Sequence, residues 1–332
     1  MTIRVGLVGY GYWGPNLARN FHQLGALTTI CDRDGKRLSQ AQRLYPAAKT
    51  TSDYRELLED KDIHGVVIAT PAQTHLQLAK EALEAGKHIL VEKPMTMTSK
   101  EGEELVATAQ KYHRILMVGH IFEYNPAVIK IKELISQGNI GRIYYIYSTR
   151  VNLGQVQRDL NALWSIAPHD LSILLYLLEA MPLEVSVRGA SYLNSQVEDV
   201  VFIHLMFPEG IAAHVHASWL DPSKMRRVTI VGSQKMVVYD DVDNEAKVKV
   251  YDKGVHIRGE IYGEFQYRLH SGDISIPQID LTEPLRNECS HFLSCIEEGK
   301  TPQTDGHNGL RVVRVLEAAQ RSLNHQGKTE RV

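Results

Sequence analysis

A glycine-rich turn near the start of the chain constrains its fold more than any other feature. Residues 9–14 read Gly-Tyr-Gly-Tyr-Trp-Gly and separate a short apolar run from a segment with helical periodicity. This G-x-G-x-x-G spacing is typical of the turn in a dinucleotide-binding βαβ unit. Gly9 permits the tight turn, Gly11 lets the backbone approach a pyrophosphate, and Gly14 allows close helix packing. The helix N-terminus, opened by Pro15, offers free N–H groups to the anion.

The glycine spacing alone also fits an ordinary strand-to-helix connection, but an acid beyond it favours the cofactor interpretation. The run from Leu27 to Cys31 predicts a second strand, and Asp32 follows it directly. In dinucleotide-binding folds an acid at this place hydrogen-bonds the adenosine ribose, and it would repel the 2′-phosphate of NADP. Asp32 therefore favours NAD. Arg33 leaves NADP open, because an arginine there can hold the 2′-phosphate, and the alternative role for Asp32 is to cap the next helix.

The bulk composition excludes several classes of protein. A chain of 332 residues is long enough for two domains. Its formal net charge of −2, without a basic stripe, argues against nucleic acid as a partner. We find neither a leader pattern nor an apolar run near the ~20 residues that span a bilayer, so we expect a cytoplasmic protein with no membrane partner. Cys31, Cys289 and Cys295 lack metal-ligand spacing and are expected to be reduced thiols.

Two domains with different patterns are predicted. Helices alternate with short apolar strands over 1–120, which indicates an α/β domain with a Rossmann-type doubly wound parallel sheet. Over 121–332 the pattern changes to strands joined by short turns, with one helix inserted early and two at the end. This predicts a substrate-binding and oligomerisation α+β domain with a large, mostly antiparallel sheet. We expect residues 253–277 to be irregular and the polar tail from His325 to be frayed.

The sheet of the second domain is expected to carry helices and substrate on one face. The other face would expose valine, isoleucine, histidine and tyrosine side chains, and a surface of that size usually marks a subunit interface. We therefore expect a homo-oligomer, either a dimer or a tetramer. His214 and His216 share a face of one strand, but no cysteine or carboxylate is placed to complete a zinc site. We assign both to the interface and predict no metal.

A lysine stands at the predicted carboxyl edge of the first sheet, where ligands bind in doubly wound folds. Lys93 is flanked by Glu92 and Pro94. Together with the glycine turn, Asp32, Thr70-Pro71 and His75, this motif resembles the glucose-fructose oxidoreductase, inositol dehydrogenase and rhizopine-catabolism (Gfo/Idh/MocA) superfamily over nearly the whole chain. The resemblance implies an NAD-dependent dehydrogenase in which Lys93 contacts both the substrate hydroxyl and the cofactor. It also implies that the bond before Pro94 is often cis, which only proline makes plausible.

A second motif of that superfamily matches residues 164–170, which read Trp-Ser-Ile-Ala-Pro-His-Asp. The match implies that His169 is the general base, taking the hydroxyl proton while hydride leaves the same carbon. In the first turn of a helix the dipole keeps such an imidazole neutral. The superfamily places an acid four residues earlier, where this chain has Ser165, so the group that orients His169 is left open. A capping or packing role is the alternative for His169, and Asp170 is expected to point away as a favourable N-terminal charge.

Further residues narrow the resemblance to the nucleotide-sugar 3-dehydrogenase branch. They are the opening 9–16 and the run 152–154 followed by Asp159, Asn161 and Leu163. The resemblance implies oxidation of carbon 3 of a UDP-linked N-acetylhexosamine or its uronic acid, so that an aminotransferase can act on the ketone. We favour the neutral UDP-N-acetylglucosamine, because no paired basic cluster stands beside the catalytic residues. A free polyol such as inositol, the reverse reaction and a nucleotide-sensing regulator are the alternatives.

These arguments define two sets of predicted site residues. The cofactor set contains turn and strand-end residues, namely Gly9, Tyr10, Gly11, Tyr12, Trp13, Gly14, Asp32, Arg33, Thr70, Pro71, His75, Glu92, Lys93 and Pro94. The substrate set contains Lys93, Asn125, Arg150, Asn152, Arg158, Ser165 and His169. Lys93 and His169 are the predicted catalytic residues. Arg150 and Arg158 are candidates to bind a uronate or a diphosphate, with solvent-exposed positions as their alternative.

We expect NAD(H) to bind more tightly than NADP(H). The 2′-phosphate would meet the Asp32 carboxylate in a partly desolvated site, and such like charges cost on the order of 1 to 3 kcal/mol, or about ten- to a hundredfold in affinity. Fluorescence titration with both reduced cofactors measures this difference. Equal affinities would contradict control by Asp32 and would assign the site to Arg33.

Overall fold

The computed structural model describes residues 2–154, 160–193, 197–261 and 264–332, with only the backbone described over 256–261 and 264–268. The chain forms two compact units, one of residues 1–124 with 282–314 and one of residues 125–281 with 315–332. The sequence predicts contiguous domains that meet near residue 120. The structure differs because residues 282–314 return to the first unit.

The first unit contains a parallel sheet, with helices following its strands in the chain. Its described strands are β1 (Val5–Val8), β2 (Leu27–Cys31), β3 (Lys49–Thr51), β4 (Gly65–Ile68), β5 (His88–Glu92) and β6 (Leu116–Gly119). Its helices are α1 (Gly14–Gln23), α2 (Gly35–Leu44), α3 (Arg55–Glu59), α4 (His75–Glu84) and α5 (Ser99–Lys111), joined later by α9 (Pro284–Glu298). The strand order is β3-β2-β1-β4-β5-β6, so the order reverses between β1 and β4. This is the predicted Rossmann-type sheet, and ligands bind at such a reversal.

The strand β3 is the one element of this sheet that the hydrophobic pattern does not predict. Its three residues, Lys-Thr-Thr, are polar and pair with β2 at the sheet edge. A short edge strand is held by hydrogen bonds to its neighbour. It therefore needs no local apolar run, which is the signal that a sequence pattern would show.

Helix α9 belongs to the first unit because it buries apolar side chains there. Leu285, Cys289 and Phe292 join the core that contains Phe21. The rings of Phe21 and Phe292 pack edge to face with centroids 6.4 Å apart. Gly65 makes room for this helix, since a Cβ there would lie 3.1 Å from the Phe292 ring. The periodicity of α9 predicts a helix but not its partner, because an amphipathic helix can pack on either domain.

The second unit is built on a large mixed sheet. Its described strands are β7 (Ile143–Val151), β8 (Glu184–Ala190), β9 (Val200–Met206), β10 (Ala212–Ser218), β11 (Met225–Gly232), β12 (Met236–Asp240), β13 (Val248–Ile261), β14 (Glu264–Ser275) and β15 (Glu330–Arg331). Its helices are α6 (Pro126–Ser136), α7 (Ala162–Ser165) and α8 (Ala167–Leu178), and α10 (Gly306–Asn324) enters it after Arg314. The strand order is β14-β13-β12-β11-β7-β10-β9-β8-β15. All neighbours are antiparallel except β7 and β10, which confirms the predicted α+β architecture.

Two predictions about this unit are wrong. Residues 253–261 and 264–275 are not irregular, because they belong to β13 and β14, which pair antiparallel with two shifts of register. The glycines and charged residues of this segment interrupt the alternation of apolar and polar residues that predicts a strand. The strands form because each one hydrogen-bonds to the other. The tail beyond His325 is not frayed either, because β15 pairs with β8 at the sheet edge.

The two faces of the second sheet differ as the sequence predicts. Helix α8 packs against β7 and β10 on one face. On the other face Tyr145, Tyr147 and Phe202 are exposed, and His216 stacks on Phe202 with ring centroids 4.5 Å apart. His214 shares this face, and no group of three metal-ligating side chains occurs among the residues that the structure describes. No helix of the described chain is long and apolar enough to cross a bilayer.

Candidate active site

Of the three glycines in the turn after β1, Gly11 is the one with open space beside its Cα. Gly9 has φ +93°, and a Cβ there would lie 2.5 Å from the Ala69 carbonyl oxygen. A Cβ on Gly14 would overlap the Gly9 carbonyl. A Cβ on Gly11 would meet only the Arg37 guanidinium, 3.6 Å away. Gly9 and Gly14 therefore allow the backbone to close, whereas the space above Gly11 fits a closely approaching dinucleotide phosphate.

The carboxylate of Asp32 is held at the end of β2 by backbone amides. The N–H of Tyr10 donates to its Oδ2 at 2.6 Å, and the N–H of Asp34 donates to its Oδ1 at 2.8 Å. Arg37 also lies beside it, with Nη1 3.6 Å from Oδ2. Arg33 and Arg37 are both exposed, and it is the guanidinium of Arg37 that approaches this carboxylate at the predicted ribose site. The spacing of the sequence motif does not indicate Arg37, because its side chain reaches the turn only through the position of α2 in the fold.

His75 connects the two loops that follow β4 and β5. Its Nδ1 lies 2.9 Å from the Pro94 carbonyl oxygen, and its Nε2 lies 2.9 Å from that of Thr70. Burial lowers the pKa of His75, so the neutral ring has one N–H to donate. His75 therefore holds the loop that starts at Thr70-Pro71 against the turn that carries Pro94, at the edge where ligands bind in doubly wound folds.

The Glu92-Lys93-Pro94 motif forms the end of β5, and the Lys93–Pro94 bond is cis. The carboxyl of Glu92 accepts a hydrogen bond from the Lys93 amide at 3.3 Å and another from the Trp13 side chain. Burial raises the pKa of Glu92 to about 7. The motif is therefore linked directly to the glycine turn, while Tyr12 of that turn is 84% exposed and faces outward.

In the second unit, His169 lies in the first turn of α8. The next residue, Asp170, fixes the start of this helix. Asp170 is buried, accepting from Ser148 Oγ and from Arg150 Nε, each at 2.6 Å. Sequence reasoning missed this role for Asp170, because its partners lie on β7 about 20 residues away. A buried ion pair with further hydrogen bonds fixes α8 on the sheet. His169 therefore projects from a rigidly held helix N-terminus.

The remaining predicted substrate residues lie in different settings. Asn125 caps α6 through its Oδ1 and donates from Nδ2 to the Tyr239 hydroxyl at 3.1 Å. Ser165 ends α7 and is buried, and Asn152 follows β7, where its N–H donates to the Ser218 carbonyl. Arg150 is buried in the ion pair with Asp170. Arg158 lies outside the described residues.

Comparison with known protein families matches most of the chain to one group. Residues 3–120 match the model of the GFO/IDH/MocA oxidoreductase family with an NAD-binding Rossmann fold. Residues 128–238 match the model of the GFO/IDH/MocA C-terminal domain.

Individual relatives resemble the chain along most of its length. It is 26% identical over 317 residues to UDP-N-acetylglucosamine 3-dehydrogenase of Acidithiobacillus ferrooxidans, covering 94% of each chain. It is 28% identical over 314 residues to the NAD(+)-dependent scyllo-inositol 2-dehydrogenase of Bacillus subtilis, covering 90% of this chain and 88% of that one. Among solved structures, a levoglucosan dehydrogenase in complex with NADH has a TM-score of 0.83 at 22% identity, covering 100% of this chain and 99% of that one.

The buried ion pair beside His169 is open to a direct test. We expect Asp170→Asn to destabilise the protein by about 3–5 kcal/mol, because the variant leaves the buried Arg150 charge without a counter-ion. Ser148→Ala is the matched control, removing only one hydrogen bond to the same carboxylate for about 1 kcal/mol. Urea unfolding followed by fluorescence measures both. A loss in Asp170→Asn no larger than in Ser148→Ala would show that the pair does not fix α8.

Proposed function

Because the chain belongs to the GFO/IDH/MocA oxidoreductase family, we propose that it oxidises carbon 3 of UDP-N-acetylglucosamine to the 3-keto sugar with NAD. The match that carries this proposal is the relative of that activity, which aligns with the chain over 94% of both lengths. The chain is a dehydrogenase with an NAD-binding Rossmann domain. The two relatives described above are named as dehydrogenases, which favours an enzyme over a nucleotide-sensing regulator.

The residues of the first unit fit the cofactor. The space above Gly11 admits a pyrophosphate, and the Asp32 carboxylate stands at the end of β2, where the adenosine ribose binds in this fold. The positive end of the α1 dipole lies at this turn, where it favours the phosphates. When bound, NAD would supply the acceptor for the hydride and its two electrons. These residues hold and orient it without taking part in the chemistry.

Two side chains of this chain are proposed to act on the sugar hydroxyl. His169 takes the hydroxyl proton, since a neutral imidazole at a helix N-terminus is a base near working pH. Lys93 donates to the same oxygen and so polarises it as the carbonyl forms. His75 holds the turn that carries Lys93, and the Asp170–Arg150 pair holds the helix that carries His169. We propose that this rigid support sets the positions of both groups.

The neutral sugar is supported over its uronate by the position of one arginine. A 6-carboxylate would favour a bidentate arginine in the substrate site. Arg150 was one of two candidates, but its guanidinium is buried and paired with Asp170. Using it for substrate would leave Asp170 without its counter-ion at a cost of several kcal/mol. Of the two predicted arginines, Arg158 is the one that remains available to a uronate.

A free polyol is the second candidate substrate. The observation that favours it is the similarity to scyllo-inositol 2-dehydrogenase, which aligns over 90% of this chain at 28% identity. The same pair of residues would serve either alcohol, because Lys93 and His169 address a single secondary hydroxyl. Discrimination between a UDP-sugar and a free polyol therefore depends on contacts to the nucleotide.

The open face of the second sheet is the proposed interface with another copy of the chain. Tyr145, Tyr147 and Phe202 expose aromatic area on a face that no described helix covers. A second copy would bury this area against the same face, as two-fold symmetric dimers do. We further propose an aminotransferase as the functional partner, because oxidising a secondary alcohol with NAD is uphill until the ketone is consumed.

We expect NAD, UDP-N-acetylglucosamine and an aminotransferase that acts on 3-keto nucleotide sugars to yield the 3-amino sugar nucleotide with this protein. Mass spectrometry detects the product, and the parallel reactions contain UDP-N-acetylglucosaminuronic acid, free N-acetylglucosamine or inositol. Product from the uronate alone would contradict the neutral-sugar choice. NADH formed only with inositol would contradict the nucleotide-sugar assignment.

The variants His169→Ala and Lys93→Ala serve as controls for this reaction. Loss of a general base costs roughly 10²- to 10⁴-fold in rate, and we expect cofactor affinity to stay within a few-fold. A wild-type rate in His169→Ala across neutral pH would remove the imidazole from the mechanism.

A further inference from the structure

An arginine on α2 lies beside the space that Gly11 leaves open in the glycine turn. A Cβ built on Gly11 would lie 3.6 Å from Nη1 of Arg37, and apart from the two chain neighbours of Gly11 no other described residue has an atom within 4 Å of that point. The same Nη1 lies 3.6 Å from Oδ2 of Asp32, and Nε of Arg37 lies 3.7 Å from Oδ2 of Asp34. The guanidinium therefore adjoins both features of the turn that fit a dinucleotide, the open space at Gly11 and the carboxylate of Asp32.

The position of Arg37 follows from the way α2 begins. Asp34 caps this helix by accepting a hydrogen bond from the Lys36 amide at 2.8 Å, and its own N–H donates to Asp32 at 2.8 Å. Arg37 thus lies in the first turn of a helix whose start is held at the end of β2. Side chains on a helix tilt toward its N-terminus, so this one reaches back over the glycine turn.

A cation in the first turn of a helix gains nothing from the helix itself. The dipole places partial positive charge at that end and favours acids, yet α2 has no acid in its first turn. The basic residue that the dipole favours is Arg43, in the last turn. The contacts of Arg37 with the two acids are longer than hydrogen bonds, and ion pairs of a half-exposed side chain contribute little to stability. A residue that breaks a local rule without a local gain is expected to serve a site.

The charges around the turn leave a bound pyrophosphate in need of a cation. Both phosphate groups are negative at neutral pH, and residues 9–16 contain neither lysine nor arginine. The carboxylates of Asp32 and Asp34 lie close by and repel an anion. The start of α1 supplies only the partial charge of a helix dipole. Arg37 brings a full positive charge to this space.

We propose that Arg37 binds the pyrophosphate of the cofactor and is its counter-charge in this site. In the free protein the guanidinium lies against Asp32 and Asp34. When a dinucleotide binds, the guanidinium exchanges these carboxylates for the phosphates, and Asp32 becomes available to the ribose hydroxyls. A planar guanidinium suits this task, because it donates to two phosphate oxygens at once. The role rests on the NAD-binding domain alone and not on the identity of the sugar.

Fluorescence titration of the whole protein with NADH tests this role. Arg37→Gln keeps a long polar side chain but removes the charge, so NADH is expected to bind about tenfold more weakly. This is the lower end of what a hydrogen-bonded charge contributes, because the side chain is half exposed. Arg37→Lys keeps a positive charge and is expected to lose no more than about threefold. Arg43→Gln removes a positive charge from the exposed far end of the same helix and is the matched control, with wild-type affinity.

Two other contacts of the guanidinium would give different patterns. A contact to the 2′-phosphate would make Arg37→Gln weaken NADPH alone, whereas a pyrophosphate contact weakens NADH and NADPH by the same factor. Stacking on the adenine ring would be lost in Arg37→Lys as fully as in Arg37→Gln, because an ammonium group is not planar. Either pattern, or wild-type NADH affinity in Arg37→Gln, would overturn the proposal.

The substitutions place good helix formers at an exposed position of α2, so the variants are expected to fold. Circular dichroism checks the fold of each variant before titration. Should Arg37→Gln not fold, Arg37→Met removes the same charge and carries the same expectation. Failure of the UDP-sugar reaction leaves these titrations unaffected, because they contain no sugar, so the two proposals can fail separately.

Discussion

The closure of the glycine turn is the constraint on which the first unit depends. Position 14 cannot carry a side chain, because its Cβ would overlap the Gly9 carbonyl. Only this close approach points the Tyr10 amide at Asp32, at 2.6 Å, and brings Trp13 to Glu92. The turn thus connects the ends of β1, β2 and β5 at the reversal of strand order. Steric exclusion at the turn thus fixes Asp32 and Glu92, two of the residues proposed to face the cofactor.

The second unit fixes its proposed catalytic residue by charge instead of by sterics. Asp170 accepts from Ser148 and Arg150 in the interior, which holds the start of α8 on β7. Such a pair stabilises little on balance but is costly to break, so it specifies one position of the helix. The position of the helix in turn determines where His169 lies, because this residue is in its first turn. The same pairing removes Arg150 from the groups available to a substrate carboxylate, so a structural contact also bears on specificity.

Local patterns predict much of this structure, and contacts distant in sequence account for the rest. Continuous apolar runs predict β1, β2, β4, β5 and β6, and turn residues predict the hairpins of the second sheet. The strands β13 and β14 form by pairing with each other, which no local pattern shows. The position of α9 depends on the absence of a side chain at Gly65, where a Cβ would approach the Phe292 ring. The role of Arg37 depends on where α2 places it. The motifs indicated Lys93 and His169, but they gave no sign that Asp170 pairs with Arg150 beside the second of them.

The central claim is that this chain moves a hydride from carbon 3 of UDP-N-acetylglucosamine to NAD. The most direct measurement uses substrate deuterated at that carbon together with an aminotransferase to consume the ketone, followed by analysis of the reduced cofactor. The account predicts NADH with deuterium at carbon 4 of the nicotinamide ring and a slower hydride transfer than with unlabelled sugar. NADH without the label, or label transferred only from a deuterated free polyol, would contradict it.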